Sequence, residues 1–151
     1  MVATPILSHD RVEGAVVLLS AAAESLASAH WARTLHGRSA GTRLAVLRAA
    51  AAVLSVRAQP GVRRAGTEGT NGPLDMWRLL PQVAPELSEW AQFFGSVLPE
   101  DTHRATAMSV REVDDLLRQG EEFVQLVAGL LGLPPVPVTG ELTSLTPGGH
   151  G

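Results

Sequence analysis

Five histidines, His9, His30, His36, His103 and His150, are the first residues to test for chemistry in this 151-residue chain. A zinc site of the HExxH kind needs two imidazoles on one helix face. His30 and His36 are six apart and so fall on different faces, and no metal-ligand spacing occurs elsewhere. There is no cysteine, which excludes disulfides, thiol nucleophiles and cysteine–zinc sites. There is no lysine either, which removes Schiff-base chemistry and the lysine of a phosphate-cradling loop. Gly95-Ser96 does not complete the strained GxSxG turn that activates a serine. The pairs Asp114-Asp115 and Glu121-Glu122 have the residue types for acid–base work. However, Asp114 and Arg118 are four apart, as are Arg111 and Asp115. That spacing predicts a solvated helix face with ion pairs worth about 0.2–0.5 kcal/mol each. Gly66, Gly69 and Gly72 are evenly spaced but lack the lysine and the strand–turn–helix context of a nucleotide loop. No catalytic residue, metal or cofactor is expected from these spacings.

The formal net charge of -3 does not suggest a general nucleic-acid binder. Its distribution is uneven. Arg33, Arg38, Arg43, Arg48, Arg57, Arg63 and Arg64 lie between Glu24 and Glu68, where there is no acid; from Glu68 onward twelve acids face four arginines, a balance of -8. Either the basic segment pairs with the acidic one inside the fold or its oligomer, or Arg43, Arg48, Arg57, Arg63 and Arg64 form a patch for an anionic partner. The apolar run Gly14–Ala23, followed by Ala27-Ser28-Ala29, imitates a signal peptide. The residues before it, Asp10, Arg11 and Glu13, have no basic excess, so an amphipathic helix is the better reading. No uninterrupted apolar run approaches the ~18 residues of a membrane span. The expected compartment is the cytoplasm, with no membrane partner.

Alanine, leucine and valine dominate, tyrosine is absent, and the apolar spacing is helical almost throughout. Residues 1–8 read as a loose lead-in. A first helix is expected from about Asp10 to about Trp31, with Val12, Val16, Leu19, Ala23 and Leu26 as its stripe. Gly37 is placed in the turn that follows, in a left-handed conformation. The second helix is expected from Ser39 to Gln59, with Leu44, Leu47, Ala51, Leu54 and Ala58 on its working face and the alanines at 49–52 allowing close approach. Pro60-Gly61 stops it, and a glycine-rich loop runs to Pro73. The third region, Leu74 to Leu98, is broken at Pro81 and Pro85. The last helix opens with the capping box Ser109-x-x-Glu112. Val113, Leu116, Leu117, Phe123, Val124, Val127 and Leu131 form its stripe, and Gly132 ends it. The expectation is one all-α up-and-down bundle over 9–133, four main helices with the third broken, and a Pro/Gly-rich extended tail over 134–151.

From Leu87 to Leu98 the apolar positions cover about 160° of arc, wider than the ~100° stripe a surface helix needs. Trp90, Phe93 and Phe94 fall in that arc. Part of it is therefore expected at a homodimer interface, with Trp90 or Phe93 as anchors.

Three blocks carry a family resemblance: LRAAAAVL in the second helix, VAPELSEWAQFF after Gln82, and SVREVDDLLRQGEEFVQLV at the end. Through them the chain resembles a small actinobacterial group of HEPN-domain proteins, over about Asp10 to Gly132. The resemblance implies a compact helical bundle that often dimerises. Many such domains are ribonucleases; others are inactive binding modules, some working beside nucleotidyltransferases. The ribonucleases of the group use an arginine, four to six intervening residues and a histidine. This chain has no such spacing; its nearest case, Arg33 and His36, has two residues between. The expectation is therefore a non-catalytic HEPN-like interaction module, a homodimer with a protein partner that handles nucleotides or nucleic acid. The alternative is a divergent ribonuclease using Arg33, His36 or His103.

Overall fold

The computed structural model describes residues 3–58, 73–98 and 108–134. The described residues are helical bundle throughout, with no strand. Arg63, Arg64, His103, His150, the glycine-rich loop and the tail beyond Pro134 lie outside them.

Helix α1 spans Ala3–Trp31. Residues 3–8 are thus helical rather than a loose lead-in. Pro5 does not prevent this, because the first turn of a helix has no N–H to lose. The buried face is Ala15, Leu19, Ala22, Leu26 and Ala29. It shares Leu19 and Leu26 with the expected stripe but turns toward the alanines, leaving Val12 and Val16 exposed.

Helix α2 spans Leu35–Arg57. Thr34 caps it, its side-chain oxygen accepting from the Gly37 N–H at 2.9 Å. Gly37 is therefore inside the first turn of α2 and does not take the left-handed conformation expected of it; among the described residues only Gly132 has a positive φ. The core face of α2 is Ser39, Thr42, Ala45, Val46, Ala49, Ala50, Ala52 and Val53. The face expected to work there sits at the edge of the core: Leu44 is 42% exposed, Leu47, Ala51 and Leu54 are half-buried with Leu47 packed against the core, and Ala58 is buried. The reason is the close approach of α1. A Cβ on Gly41 would come within 2.9 Å of the Ala29 Cβ, so small side chains occupy the seam and the leucines fit only outside it.

Gly14 faces Ser55 while Gly41 faces Ser25 and Ala29, so α1 and α2 run antiparallel. By length and composition each could cross a membrane. In the fold they are each other's main packing partners.

Helix α3 spans Pro73–Val83 and contains Pro81 without breaking. The break comes at Ala84 (φ -142°, ψ 75°), followed by a 3-10 turn over Pro85–Leu87 and helix α4 over Ser88–Val97. Pro85 bars its preceding residue from the helical region, whereas Pro81 removes only one N–H near the end of α3. Helix α5 spans Val110–Leu130. Its capping box is formed: the Glu112 N–H donates to Ser109 Oγ at 3.1 Å and the Ser109 N–H donates to Glu112 Oε1 at 2.8 Å. Gly132 (φ 71°) ends it, with the Leu133 N–H donating to the Ala128 carbonyl at 2.9 Å. The expected stripe is buried, except that Leu131 is half-buried.

Helix α5 lies on α2 and touches α1. Its closest approach is at Gly120, where a Cβ would meet Thr42 Cγ2 at 2.9 Å. Helix α3 packs on α2 and on α4. Trp77 from α3, Trp90, Phe93 and Phe94 from α4, and Phe123 from α5 join in one cluster, with neighbouring ring centroids 5.1–6.1 Å apart.

Candidate interaction surface

The arginines divide among partners instead of gathering. Arg38 Nη1 donates to Asp114 Oδ1 at 2.7 Å, joining α2 to α5. Arg57 Nη1 donates to Glu86 Oε2 at 2.8 Å and reaches the Val83 carbonyl at 3.4 Å, joining α2 to the break after α3. Arg48 Nη1 donates to the Ala21 carbonyl at 3.1 Å and to Ser25 Oγ at 2.7 Å. Arg43 is half-buried; at about 100° per residue it lies on a different side of α2 from Arg48. Of the patch expected from Arg43, Arg48, Arg57, Arg63 and Arg64, the three described members therefore do not converge, and two are engaged within the chain. The Arg38–Asp114 and Arg57–Glu86 pairs each join the basic segment to the acidic one. Asp114 was expected to pair with Arg118; it pairs with Arg38, and Arg118 instead lies 3.7 Å from Asp115.

The histidines are placed as simply. His30 Nε2 lies 2.5 Å from Glu121 Oε2, linking the end of α1 to α5. Arg33 is exposed between α1 and α2, His36 is exposed in the first turn of α2, and Trp31 at the end of α1 is 73% exposed. Among the described residues no group of three or more histidines and acids is placed to hold a metal ion.

The aromatic candidates separate. Phe94 is fully buried and belongs to the core, not to a surface. Trp90 is half-buried, stacked on Phe94 with centroids 5.7 Å apart. Phe93 is 36% exposed. It borders an open groove of about 480 Å³ between α4 and the first half of α5. Phe93, Val97, Met108 and Leu116 give the groove its apolar lining, and Glu112 and Asp115 are its carboxylates. The Ser109 backbone N–H, and then the Ser109 hydroxyl, hold the Glu112 carboxyl below its usual value. Glu86 is lowered likewise, by a backbone hydrogen bond and then by Arg57.

Sequence reasoning picked Phe93 from the width of the apolar arc but did not find the groove. Its other wall comes from α5, whose residues read as an ordinary amphipathic stripe and a solvated acidic face.

A family model for the SAV_6107-like HEPN domain matches residues 29–128. No curated protein and no solved structure matches the chain.

Proposed function

The chain belongs to the SAV_6107-like HEPN family, and from that premise we propose that it is a non-catalytic HEPN-like interaction module, cytoplasmic and dimeric, that engages a protein partner. The observation that carries the reading is the disposition of its histidines and arginines. The arginine–histidine spacing associated with HEPN ribonucleases is absent from the sequence. Of the described histidines, His9 lies 3.2 Å from Glu13, His30 is engaged by Glu121, and His36 is exposed in the first turn of α2. Arg38, Arg48 and Arg57 hold helices together.

Dimerisation is supported by α2. Its small-residue face makes the core, and outside it Leu44 stands 42% exposed beside the half-buried Ala51 and Leu54. The partner is a protein that itself handles nucleotides or nucleic acid. This assignment follows the wider HEPN resemblance rather than any charge on this chain.

Two measurements test the reading. Purified protein incubated with structured and single-stranded RNA leaves both intact; cleavage that disappears in His36→Ala or His103→Ala would establish the ribonuclease alternative instead. Sedimentation of the wild type gives a dimer, and Leu44→Asp shifts it to monomer with the helical signal kept. A wild-type monomer at all workable concentrations rejects the dimer.

A further inference from the structure

The α4–α5 groove combines two properties that select a partner. Phe93 and Val97 are one helical turn apart on α4, and Leu116 faces them from α5. Met108 adds a flexible, polarisable side chain to the lining, suited to irregular apolar guests. Carboxylates mark the α5 side. Glu112 lines the groove while its carboxylate accepts the Ser109 N–H of the capping box, and Asp115 is one helical turn of α5 nearer the middle. The cation beside Asp115 is Arg118, at 3.7 Å with both side chains largely exposed. Such a pair is weak and screened, and a better-placed cation displaces it readily.

We propose that this groove docks a basic amphipathic helix of a partner protein, its leucine-like side chains on Phe93, Val97 and Leu116 and its arginines or lysines on Glu112 and Asp115. The inference rests on the interaction-module reading and names the partner's chemistry. Charge complementarity decides the occupant. Among the described residues the groove is lined by two carboxylates, Glu112 and Asp115, and by no arginine; Arg38 and Arg57 are paired elsewhere, with Asp114 and Glu86. An acidic segment or a nucleic acid would meet repulsion at this edge, whereas a basic one gains both a faster encounter and a fixed register. The groove follows α5 from Glu112 to Gln119. At about 1.5 Å per residue that is the length of roughly two helical turns, which suits anchors spaced three or four residues apart on the guest.

The test uses the full chain and a fluorescein-labelled peptide of about 14 residues, with leucines at helical spacing flanked by arginines. Fluorescence anisotropy is expected to show saturable binding that weakens as salt is raised. Replacing the peptide's arginines by glutamate abolishes it. Phe93→Ser lowers affinity about tenfold or more, as loss of a central aromatic anchor does. Asp115→Arg lowers it about fivefold and flattens the salt dependence. Phe93 also touches Phe94, so Phe93→Ser is assayed well below its own melting midpoint with the helical signal intact, and Asp115→Arg, at a largely exposed side chain, is the variant expected to leave the melting curve unchanged. The remote Leu44→Asp variant binds the peptide normally. Binding that survives Phe93→Ser, that is matched by the glutamate peptide, or that is absent in the wild type overturns the proposal. A drop in sedimenting mass caused by Phe93→Ser also overturns it, because the occupant is then a second copy. The two proposals fail separately: a protein that refuses the peptide but still forms the Leu44-dependent dimer loses the groove assignment and keeps the interaction-module reading.

Discussion

Two glycines on one helix should respond to the same substitution with opposite sign. Gly120 and Gly129 are both inside α5. A Cβ at Gly129 meets nothing within 4 Å, so Gly129→Ala collects the helix-propensity gain, at most about 1 kcal/mol. A Cβ at Gly120 would meet Thr42 Cγ2 at 2.9 Å, Val46 Cγ1 at 3.4 Å and Leu26 Cδ2 at 3.8 Å. Thr42 cannot swing aside cheaply. It is fully buried and branched at Cβ, and its hydroxyl donates to the Arg38 carbonyl at 2.9 Å, a bond that rotation about χ1 would break. Overpacking of this kind costs about 1–3 kcal/mol. Set against the same propensity gain of ~1 kcal/mol, Gly120→Ala nets about 0–2 kcal/mol of destabilisation. For a chain of this size each kcal/mol moves the midpoint by about 2–4 °C. Thermal and urea melts followed by circular dichroism should therefore show Gly129→Ala up by at most about 4 °C and Gly120→Ala down by as much as about 8 °C. A Gly120→Ala protein at least as stable as Gly129→Ala would refute the claim that α2 and α5 touch through this glycine.

Phe94→Ala should cost about 3–5 kcal/mol, because the ring is fully buried and meets Trp77, Trp90, Phe93 and Phe123; urea midpoints measure it, and a loss under ~1 kcal/mol would mean that the cluster does not hold α3, α4 and α5 together. Acid should weaken the fold through Glu86 and Glu112. Both carboxyls are held below their ordinary value of 4.5 in the folded chain. Their contribution is complete above that value and is lost as pH falls through the lower folded values. Glu112→Gln should flatten part of the acid slope of urea midpoints taken from pH 6 to about pH 3; an unchanged slope would assign acid lability to other groups.

The last helix was the most legible element because its signals agree: a serine cap with its glutamate, a stripe of large apolar residues, and a terminal glycine all appear where the sequence puts them. The break before α4 was legible to within a few residues, but not its cause, since Pro81 and Pro85 look equally disruptive until one knows which ends a helix. The working face of α2 was misjudged for a definite reason. Periodicity weighs leucine above alanine, yet a seam where Gly41 and Ala29 nearly touch accepts only small residues. In α1 and α2 almost every face is apolar, so the pattern cannot say which one meets the neighbour. The groove was hidden for another reason: Phe93 and Leu116 are remote in sequence, and no local spacing marks a cleft made by two helices.

The segregation of charge along the chain was visible at once, but its meaning depended on the fold. A run of arginines without acids invites an anionic partner. Folding instead spends two of them on carboxylates from the acidic half, through Arg38–Asp114 and Arg57–Glu86, and a third on the Ala21 carbonyl and Ser25 of α1. Each of these contacts ties α2 to a different element. Three of the seven arginines of the basic segment, Arg38, Arg48 and Arg57, therefore act as internal bracing. Asp114 is taken up in this way, whereas Asp115, the next residue, falls on the groove side of α5 with only an exposed arginine 3.7 Å away. The step of about 100° between neighbours on a helix thus converts one acidic pair into a structural contact and a recognition edge. Arg38→Asp or Asp114→Arg alone should accordingly lower stability and leave groove binding alone, while Asp115→Arg should do the reverse. A double exchange Arg38→Asp with Asp114→Arg that restored the melting midpoint lost in either single variant would confirm the bracing role, and failure of the pair to recover would refute it.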